Sequence, residues 1–392
     1  MSKGGAKFFA LEKFPNAMKH RIVGNYVKSA LPTLINWSNR DVWYADLFAG
    51  AGRYDDGQPG SPLIVAEEAD QRFRTKGPPL IHCFNVERDP GIFDALQKNT
   101  SHIAPEVIDN RLGDWSNHLD DLLALTQPNH APLIVFLDPF GFEGIELSKL
   151  VQILSGIGSE AREMVITLNL AGMQRMVAAE HAARLKGKAH DYSALPDRVF
   201  GTPTWRASLV DGLLPDESLQ RLVDLYEQQL FATGGGGFQR AVASIGVPTR
   251  MGGPDAYFLV FVTRSSVGLM KMNESANLAF ERAWMAEEKL YLVPEFGTGL
   301  PRYADRTAAL RPVLAAEVLT YLATQPFGTH IENVYVDLAM RHFGRFRMTH
   351  LGGIVRSLRT DGTIVTNPKA LERDTFIALA TSEGGRHFAK PA

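Results

Sequence analysis

The sequence predicts a doubly wound α/β domain with a mostly parallel seven-stranded sheet, a helical insertion and a smaller winged-helix-like domain at the C-terminus. Apolar runs that end in an acidic residue alternate with helical patterns, as expected for the strands and crossover helices of a parallel sheet. After about residue 311 the pattern changes to short helices and a strand. We therefore place the first domain at residues 1–300, its insertion at 174–238 and the second domain at 301–392.

The composition is that of an ordinary soluble globular protein, with 45% hydrophobic and 21% charged residues. The formal net charge is -2, so contacts with nucleic acid would depend on local basic patches. The single cysteine, Cys83, excludes an internal disulfide framework and a multi-cysteine metal site. No stretch is apolar enough to cross a bilayer, and residues 1–13 lack the apolar core of a signal peptide. We expect a cytoplasmic protein with no membrane partner and no bound metal.

The first predicted strand, Val42 to Asp46, leads directly into a turn that carries Gly50 and Gly52. Glycine lets the backbone approach a ligand closely and adopt turn geometries closed to other residues. A dinucleotide fingerprint would have a third glycine where Asp55 stands, and such an acidic turn does not suit a pyrophosphate. We therefore expect a nucleoside without phosphates, such as S-adenosylmethionine (SAM); an ordinary tight turn is the alternative. The predicted cofactor contacts in this stretch are Asp46, Phe48, Ala49, Gly50 and Gly52.

The run from Asp46 to Gly52, Asp-Leu-Phe-Ala-Gly-Ala-Gly, resembles the first motif of class I SAM-dependent methyltransferases. Acids also end the next two predicted strands. Glu87 stands where an acid can accept hydrogen bonds from ribose hydroxyls, with Asp89 as the alternative ribose ligand. Asp114 could accept a hydrogen bond from the adenine amino group or cap the following helix. The predicted cofactor contacts at these strand ends are Glu87, Arg88, Asp114 and Trp115, with Trp115 against the adenine face.

The tetrapeptide Asp138-Pro139-Phe140-Gly141 follows an apolar run typical of a central parallel strand buried on both faces. It resembles the fourth motif of methyltransferases that act on exocyclic amines of nucleic-acid bases, and guanine-N2 tRNA methyltransferases carry this same form. Hydrogen bonds from the amine to Asp138 and to a backbone carbonyl would free the nitrogen lone pair for attack on the sulfonium methyl group, and Phe140 would stack on a flipped base. A helix-capping Asp-Pro turn is the alternative. The predicted catalytic residues are Asp138, Pro139, Phe140 and Gly141.

Helical segments flank the predicted sheet. Residues 16–36 have apolar positions at helical spacing, and we interpret them as a helix that covers the sheet edge. The alternative is that Lys19 and His20 face the mouth of the cofactor site. The insertion carries basic residues and closes with a glycine run, Gly234 to Gly237, that indicates a hinge. Its basic residues are Arg175, Arg184, Lys186 and Lys188.

The helices and short strand predicted near the C-terminus resemble a winged helix, and their basic residues exceed the nearby acids. A domain of this kind would bind nucleic-acid phosphates. A winged helix that packs only against a partner protein is the alternative. The predicted nucleic-acid contacts are Arg341, Arg345, Arg347, Arg356 and Arg359.

Together the motifs resemble the bacterial three-Cys-motif partner family, over roughly the first two-thirds of the chain. The matching pieces are Lys19-His20, Asp46 to Tyr54, Gly60-Ser61-Pro62 and Asp138 to Gly141. This resemblance implies a methyltransferase domain and a separate cysteine-rich partner protein. We expect a SAM-dependent methyltransferase that acts on an exocyclic amino nitrogen of a base in RNA or DNA. The alternative from another class is a SAM-binding partner or scaffold protein without methyl transfer.

Overall fold

The computed structural model describes residues 13–126, 131–155, 161–185, 194–208, 215–233, 241–291, 303–367 and 371–388. The chain forms two compact units, Met1–Gly268 and Leu269–Ala392. The division lies inside a long helix, Ser266–Tyr291. The domain boundary at residue 300 and the limits of the insertion stay predictions.

A seven-stranded, mostly parallel sheet forms the centre of the first unit, in the order β3-β2-β1-β4-β5-β7-β6. The strand β7 runs antiparallel to its neighbours, β5 and β6. The predicted mixed α/β fold with this kind of sheet is therefore confirmed. The strands are β1 Val42–Asp46, β2 Ile81–Glu87, β3 Ile108–Leu112, β4 Leu133–Leu137, β5 Arg162–Asn169, β6 Ala241–Pro248 and β7 Asp255–Thr263.

Helices connect the strands and cover both faces of this sheet. On one face, Tyr26 packs edge-on against Phe261 of β7, with 5.2 Å between the ring centroids. On the other face, Val135 of β4 shares a core with Leu150 and Tyr226. The helices of this unit are α1 Phe14–Ser38, α2 Ser61–Lys76, α3 Pro90–Thr100, α4 Leu119–Thr126, α5 Leu147–Leu154, α6 Leu170–Leu185, α7 Ala194–Phe200 and α8 Pro215–Ala232.

The register of the parallel strands brings their carboxyl ends to one edge of the sheet. Asp46 of β1 pairs with Phe136 of β4, and Leu137 of β4 pairs with Ile166 of β5. The residues that follow these strands therefore meet at that edge, where ligands bind in open α/β sheets. In the predicted insertion, Lys186, Lys188 and the run from Gly234 to Gly237 lie outside the described residues.

The second unit has its own core and a three-stranded antiparallel sheet in the order β8-β10-β9. Asn273 is fully buried and donates hydrogen bonds to the Tyr335 hydroxyl at 2.7 Å and to the Phe346 carbonyl at 2.8 Å. These bonds join the long helix to the rest of the unit. Its elements are α9 Ser266–Tyr291, α10 Tyr303–Ala323, β8 Thr329–His330, α11 Ile331–Arg341, α12 Met348–Thr360, β9 Ile364–Asn367, β10 Phe376–Leu379 and α13 Glu383–Phe388. Among the described helices, none is long and apolar enough to cross a membrane.

Candidate active site

A cavity of about 450 Å³ opens at the carboxyl edge of the first unit's sheet. It brings together the turn after β1, the ends of β2, β3 and β4, and the start of α1. Twelve of the predicted site residues line it, whereas Asp46 lies fully buried and is not part of the lining. The lining positions are Phe48, Ala49, Gly50, Gly52, Glu87, Arg88, Asp114, Trp115, Asp138, Pro139, Phe140 and Gly141.

The turn after β1 depends on glycine for its backbone conformation. Gly50 has φ 64° and Gly52 has φ 76°, in the left-handed region that favours glycine. A Cβ atom on Gly52 would also lie 3.1 Å from Leu96 of α3. The Gly52 carbonyl accepts a hydrogen bond of 2.8 Å from Gly60, just before α2. This turn therefore presents bare backbone to the cavity.

Glu87 is held in place by backbone amides on both sides of its carboxylate. Oε2 accepts a hydrogen bond from the Gly50 amide at 2.9 Å, and Oε1 accepts one from the Asp89 amide at 2.8 Å. Each carboxylate oxygen has room for a second donor, such as a ribose hydroxyl. The Asp89 side chain instead caps α3 by accepting hydrogen bonds from Gly91 and Ile92. The geometry therefore favours Glu87 over Asp89 as the ligand group.

Asp114 both caps a helix and lines the cavity, so its two predicted roles are compatible. Oδ1 accepts hydrogen bonds from the Ser116 hydroxyl at 2.6 Å and the Ser116 amide at 2.9 Å, at the start of a short 3-10 helix. Burial acts to raise the pKa of Asp114, but these hydrogen bonds and the positive charges of Lys149 and Arg88 together outweigh it, and the pKa is lowered. The carboxylate is therefore ionised at neutral pH and able to accept a further donor.

Trp115 lies mostly in the protein core, with only 2% of its surface exposed. Its indole N–H donates to the Gly144 carbonyl at 3.1 Å. Gly144 has φ 91°, and a Cβ there would lie 2.6 Å from the Phe48 ring. Trp115 is therefore a fixed, buried ring that exposes very little surface to the cavity.

Asp138 forms an ion pair with Lys19 of α1 inside the cavity. The Lys19 side chain is 4% exposed and that of Asp138 25%. His20 also lines the cavity, with 5.8 Å between the centroids of its ring and the Tyr54 ring. Both interpretations of the first helix are thus compatible with its position: α1 covers the sheet, and Lys19 and His20 face the cavity.

Phe140 and Gly141, which follow Asp138 and Pro139, have different surroundings. Phe140 is 57% exposed at the cavity, and its carbonyl accepts a hydrogen bond of 3.3 Å from the Asn169 side chain. A Cβ atom on Gly141 would meet nothing within 4 Å. A ligand can therefore approach the backbone at Gly141 closely while the Phe140 ring stands beside it.

Buried polar atoms lie beneath the cavity, on the face of the sheet covered by α1. Burial raises the pKa of Asp46 to about 7, and the charge of Asp138 acts in the same direction. The nearby Ser61 side chain acts to lower the pKa of Asp46. Asp46 Oδ2 nevertheless has no hydrogen bond of normal geometry within the described residues. The hydroxyl oxygens of Tyr44 and Thr167 are also buried without a described partner. Asp46 is therefore a buried carboxyl group beneath the cavity, where it does not contact a ligand directly.

Several lining residues were not predicted from the sequence, because no local motif marks them. Asn16 and Tyr257 are buried, and the Tyr257 hydroxyl donates to the Pro15 carbonyl. Asn169 ends β5 at the same sheet edge as the predicted acids. A polar residue at the end of an apolar strand was the one available signal for Asn169.

The predicted nucleic-acid contacts all lie in the second unit, but in two kinds of surroundings. Arg347 forms an ion pair with Glu281 at 2.8 Å, and Arg341 forms ion pairs with Asp337 and Glu317. Arg359 donates to the Thr366 hydroxyl at 3.2 Å. The remaining two, Arg345 and Arg356, are exposed and have no ion pair in the part of the chain that the structure describes.

No family model and no curated protein matches the sequence. Among solved structures, protein LPL1258 from Legionella pneumophila str. Philadelphia 1, described with the family model DUF519, is similar over 64% of this chain and 85% of its own, with 10% identity and a TM-score of 0.36. A loganic acid methyltransferase with SAH is similar over 62% of this chain and 94% of its own, with 8% identity and a TM-score of 0.22. These similarities are too distant to carry a functional argument. The resemblance to the three-Cys-motif partner family stays a prediction.

Proposed function

We propose that the protein is a SAM-dependent methyltransferase that acts on an exocyclic amino nitrogen of a nucleic-acid base. The observation that carries this proposal is the shared cavity: the turn of Gly50 and Gly52, the Glu87 carboxylate and the tetrapeptide from Asp138 to Gly141 all line it. Its volume of about 450 Å³ is within the range of small-molecule sites. The acceptor would enter where Phe140 is exposed.

The residues present suit the adenosine and methionine parts of SAM. The bare backbone at Gly50 and Gly52 allows close approach, Glu87 has acceptor capacity left for ribose hydroxyls, and Asp114 Oδ2 is available for the adenine amino group. When bound, SAM supplies an electrophilic methyl group on a sulfonium sulfur, which leaves with the bonding pair as S-adenosylhomocysteine (SAH). SAM carries no phosphate group, so the negatively charged residues Asp55 and Asp56 in the turn do not oppose its binding.

Asp138 would orient the acceptor. Its Oδ2 is occupied by Lys19, so Oδ1 would accept a hydrogen bond from the amine and then take up the proton that the methylated nitrogen loses. The backbone at Gly141 has open space beside it, and the Phe140 carbonyl, which accepts from Asn169, has a second lone pair for the amine. Phe140 would stack on the base, since its ring is exposed at the cavity. Alignment of the acceptor nitrogen would supply most of the rate enhancement.

We also propose that the second unit is a winged-helix-like module. Its helix–strand–helix–helix–strand–strand order and its antiparallel sheet support this interpretation. Arg345 and Arg356 would contact nucleic-acid phosphates, because they are exposed and form no ion pair in the described residues, whereas Arg359 is half-buried and bonded to Thr366. A separate cysteine-rich partner protein, implied by the family resemblance, is a further proposal.

The test is incubation of the purified protein with methyl-labelled SAM and, in separate reactions, total cellular RNA, DNA and protein. We expect label in a nucleic-acid fraction and an N-methylated base on nucleoside analysis. Asp138→Ala should abolish labelling while SAM affinity, measured by calorimetry, is retained. An O-methylated product, or full turnover by Asp138→Ala, would contradict the proposed role of the tetrapeptide.

The Lys19–Asp138 ion pair favours a second candidate function, a SAM-binding scaffold without methyl transfer. In that case the chain's own ammonium group would permanently occupy the carboxylate that an acceptor needs. The same reactions separate the two functions. SAM binding with no label in any fraction, with or without a cysteine-rich partner, would support the scaffold.

A further inference from the structure

We propose that Lys19 determines the chemical class of the acceptor by admitting an uncharged nitrogen and rejecting a protonated amine. This inference rests on the proposed function and narrows it. Exocyclic amino groups of bases are uncharged at neutral pH, whereas lysine side chains and polyamines are protonated. Lys19 would therefore separate nucleic-acid acceptors from the amines of proteins and of small metabolites.

The ammonium group of Lys19 is fixed at the place where an acceptor must bind. It contacts Asp138 Oδ2, and its side chain is only 4% exposed. The Tyr257 ring lies below it, with 5.5 Å from Nζ to the ring centroid, a position that favours a cation. The bond joins two residues 119 positions apart, Lys19 in α1 and Asp138 directly after β4, so the packing of these two elements fixes it.

Binding of a second cation to the Asp138 carboxylate is energetically unfavourable while Lys19 is paired with it. Hydrogen-bond lengths put an amine on Oδ1 about 4–5 Å from the Lys19 nitrogen. Two unit positive charges about 4 Å apart disfavour each other on the order of a thousandfold at the dielectric response typical of protein sites. The Asp138 carboxylate attracts a cationic amine, but the repulsion from Lys19 cancels most of this attraction, so little remains to offset the cost of taking an ammonium group out of water. An uncharged amine meets no such repulsion and still donates its hydrogen bond.

The other charged groups near the pair do not reverse this balance. Asp46 is held partly in its neutral form, because burial raises its pKa to about 7. Glu87 is compensated by two backbone amides. At the rim, Arg88 forms an ion pair with Glu143 at 3.3 Å. A bound SAM adds a sulfonium charge, which increases the repulsion of a cationic acceptor.

The experiment measures binding rather than turnover, so it does not depend on knowing the acceptor. Wild-type protein saturated with SAH is titrated by calorimetry with n-butylamine, which is protonated at pH 7. We expect negligible binding to the wild type and at least tenfold tighter binding to Lys19→Gln. The matched control is Lys28→Gln, which removes the same charge from an exposed position of α1 and should behave like the wild type.

Two results would overturn the proposal: butylamine binding to the wild type as tight as to Lys19→Gln, or a labelled wild-type product methylated on a lysine or polyamine nitrogen. If Lys19→Gln does not fold, as judged by its circular dichroism and SAH affinity, the identity of the wild-type product decides alone. Failure of the proposed function itself has a different signature, namely no SAH binding or no labelled product from the wild type.

Discussion

The amide of Gly50 donates a hydrogen bond of 2.9 Å to the Glu87 carboxylate, which ties the turn after the first strand to the end of the second. The two residues are 37 positions apart in sequence. Because the same carboxylate faces the cavity, the bond links the shape of the glycine turn to the group proposed to bind ribose. A change at either residue should therefore affect SAM binding.

Replacing Glu87 tests this link. Glu87→Ala removes a charged acceptor from two amides and from the ribose, and hydrogen bonds to charged groups contribute about 1.5–3 kcal/mol each. We expect SAM affinity to fall at least tenfold by calorimetry, and Glu87→Gln, which keeps one acceptor oxygen, to have an intermediate affinity. The control Glu106→Ala alters an exposed glutamate before β3 and should leave affinity unchanged. Unaltered SAM affinity in Glu87→Ala would contradict the ribose assignment.

Two glycine-to-alanine variants should separate a loss of stability from a loss of turnover. Gly52→Ala places a side chain at φ 76° and 3.1 Å from Leu96, so we expect about 1–2 kcal/mol of lost stability and weaker SAM binding. Gly141→Ala meets no neighbouring atom, so stability should be retained while turnover falls because the methyl group occupies acceptor space. Chemical denaturation and the labelling assay measure the two properties. Equal stability losses in both variants would refute the distinction.

The buried carboxyl group of Asp46 should make stability depend on pH. Its folded-state pKa of about 7 is raised above the unfolded value of 3.8, so the folded state binds the proton more tightly. The resulting stabilisation is complete below about pH 4 and is lost as pH rises through 7. Relative to Asp46→Asn, the wild type should lose up to about 1.4 kcal/mol of unfolding free energy per pH unit in this window.

Urea denaturation of both proteins at several pH values between 4 and 8 checks this prediction. Glu163 is also buried, and burial raises its pKa, but it is present in both proteins and cancels in the comparison. Parallel pH profiles for the wild type and Asp46→Asn would show that Asp46 does not titrate as proposed.

The second unit offers a test of nucleic-acid binding that is independent of catalysis. Arg345→Ala and Arg356→Ala should each weaken RNA or DNA binding and lower the salt dependence of the affinity by about one phosphate contact. Arg311→Ala, which removes an exposed charge from α10, is the matched control. Fluorescence anisotropy at several salt concentrations gives both quantities. Wild-type affinity and salt slope in the two variants would favour a module that binds only a protein partner.

Much of the cavity was predictable because its residues follow strands in sequence. The end of an apolar run identifies the sheet edge, so Glu87, Asp114 and Asp138 could be assigned to one rim before the structure was known. The order of strand ends also predicted that the glycine turn would face the same rim. Asp46 shows the limit of this reasoning, because the pattern does not reveal how deeply a strand-end carboxylate is buried.

The sequence by itself determined the alternation of strands and helices, the conformation required at Gly50 and Gly52, and the residue types at the ends of the strands. These properties depend on local backbone preferences and on apolar periodicity, which neighbouring residues specify. Only the tertiary structure decided that Lys19 lies against Asp138, that Asn169 holds the Phe140 carbonyl and that Glu87 is held by two amides. Such contacts depend on how α1 and the strands pack, and packing is a property of residues far apart in the chain that no local pattern encodes.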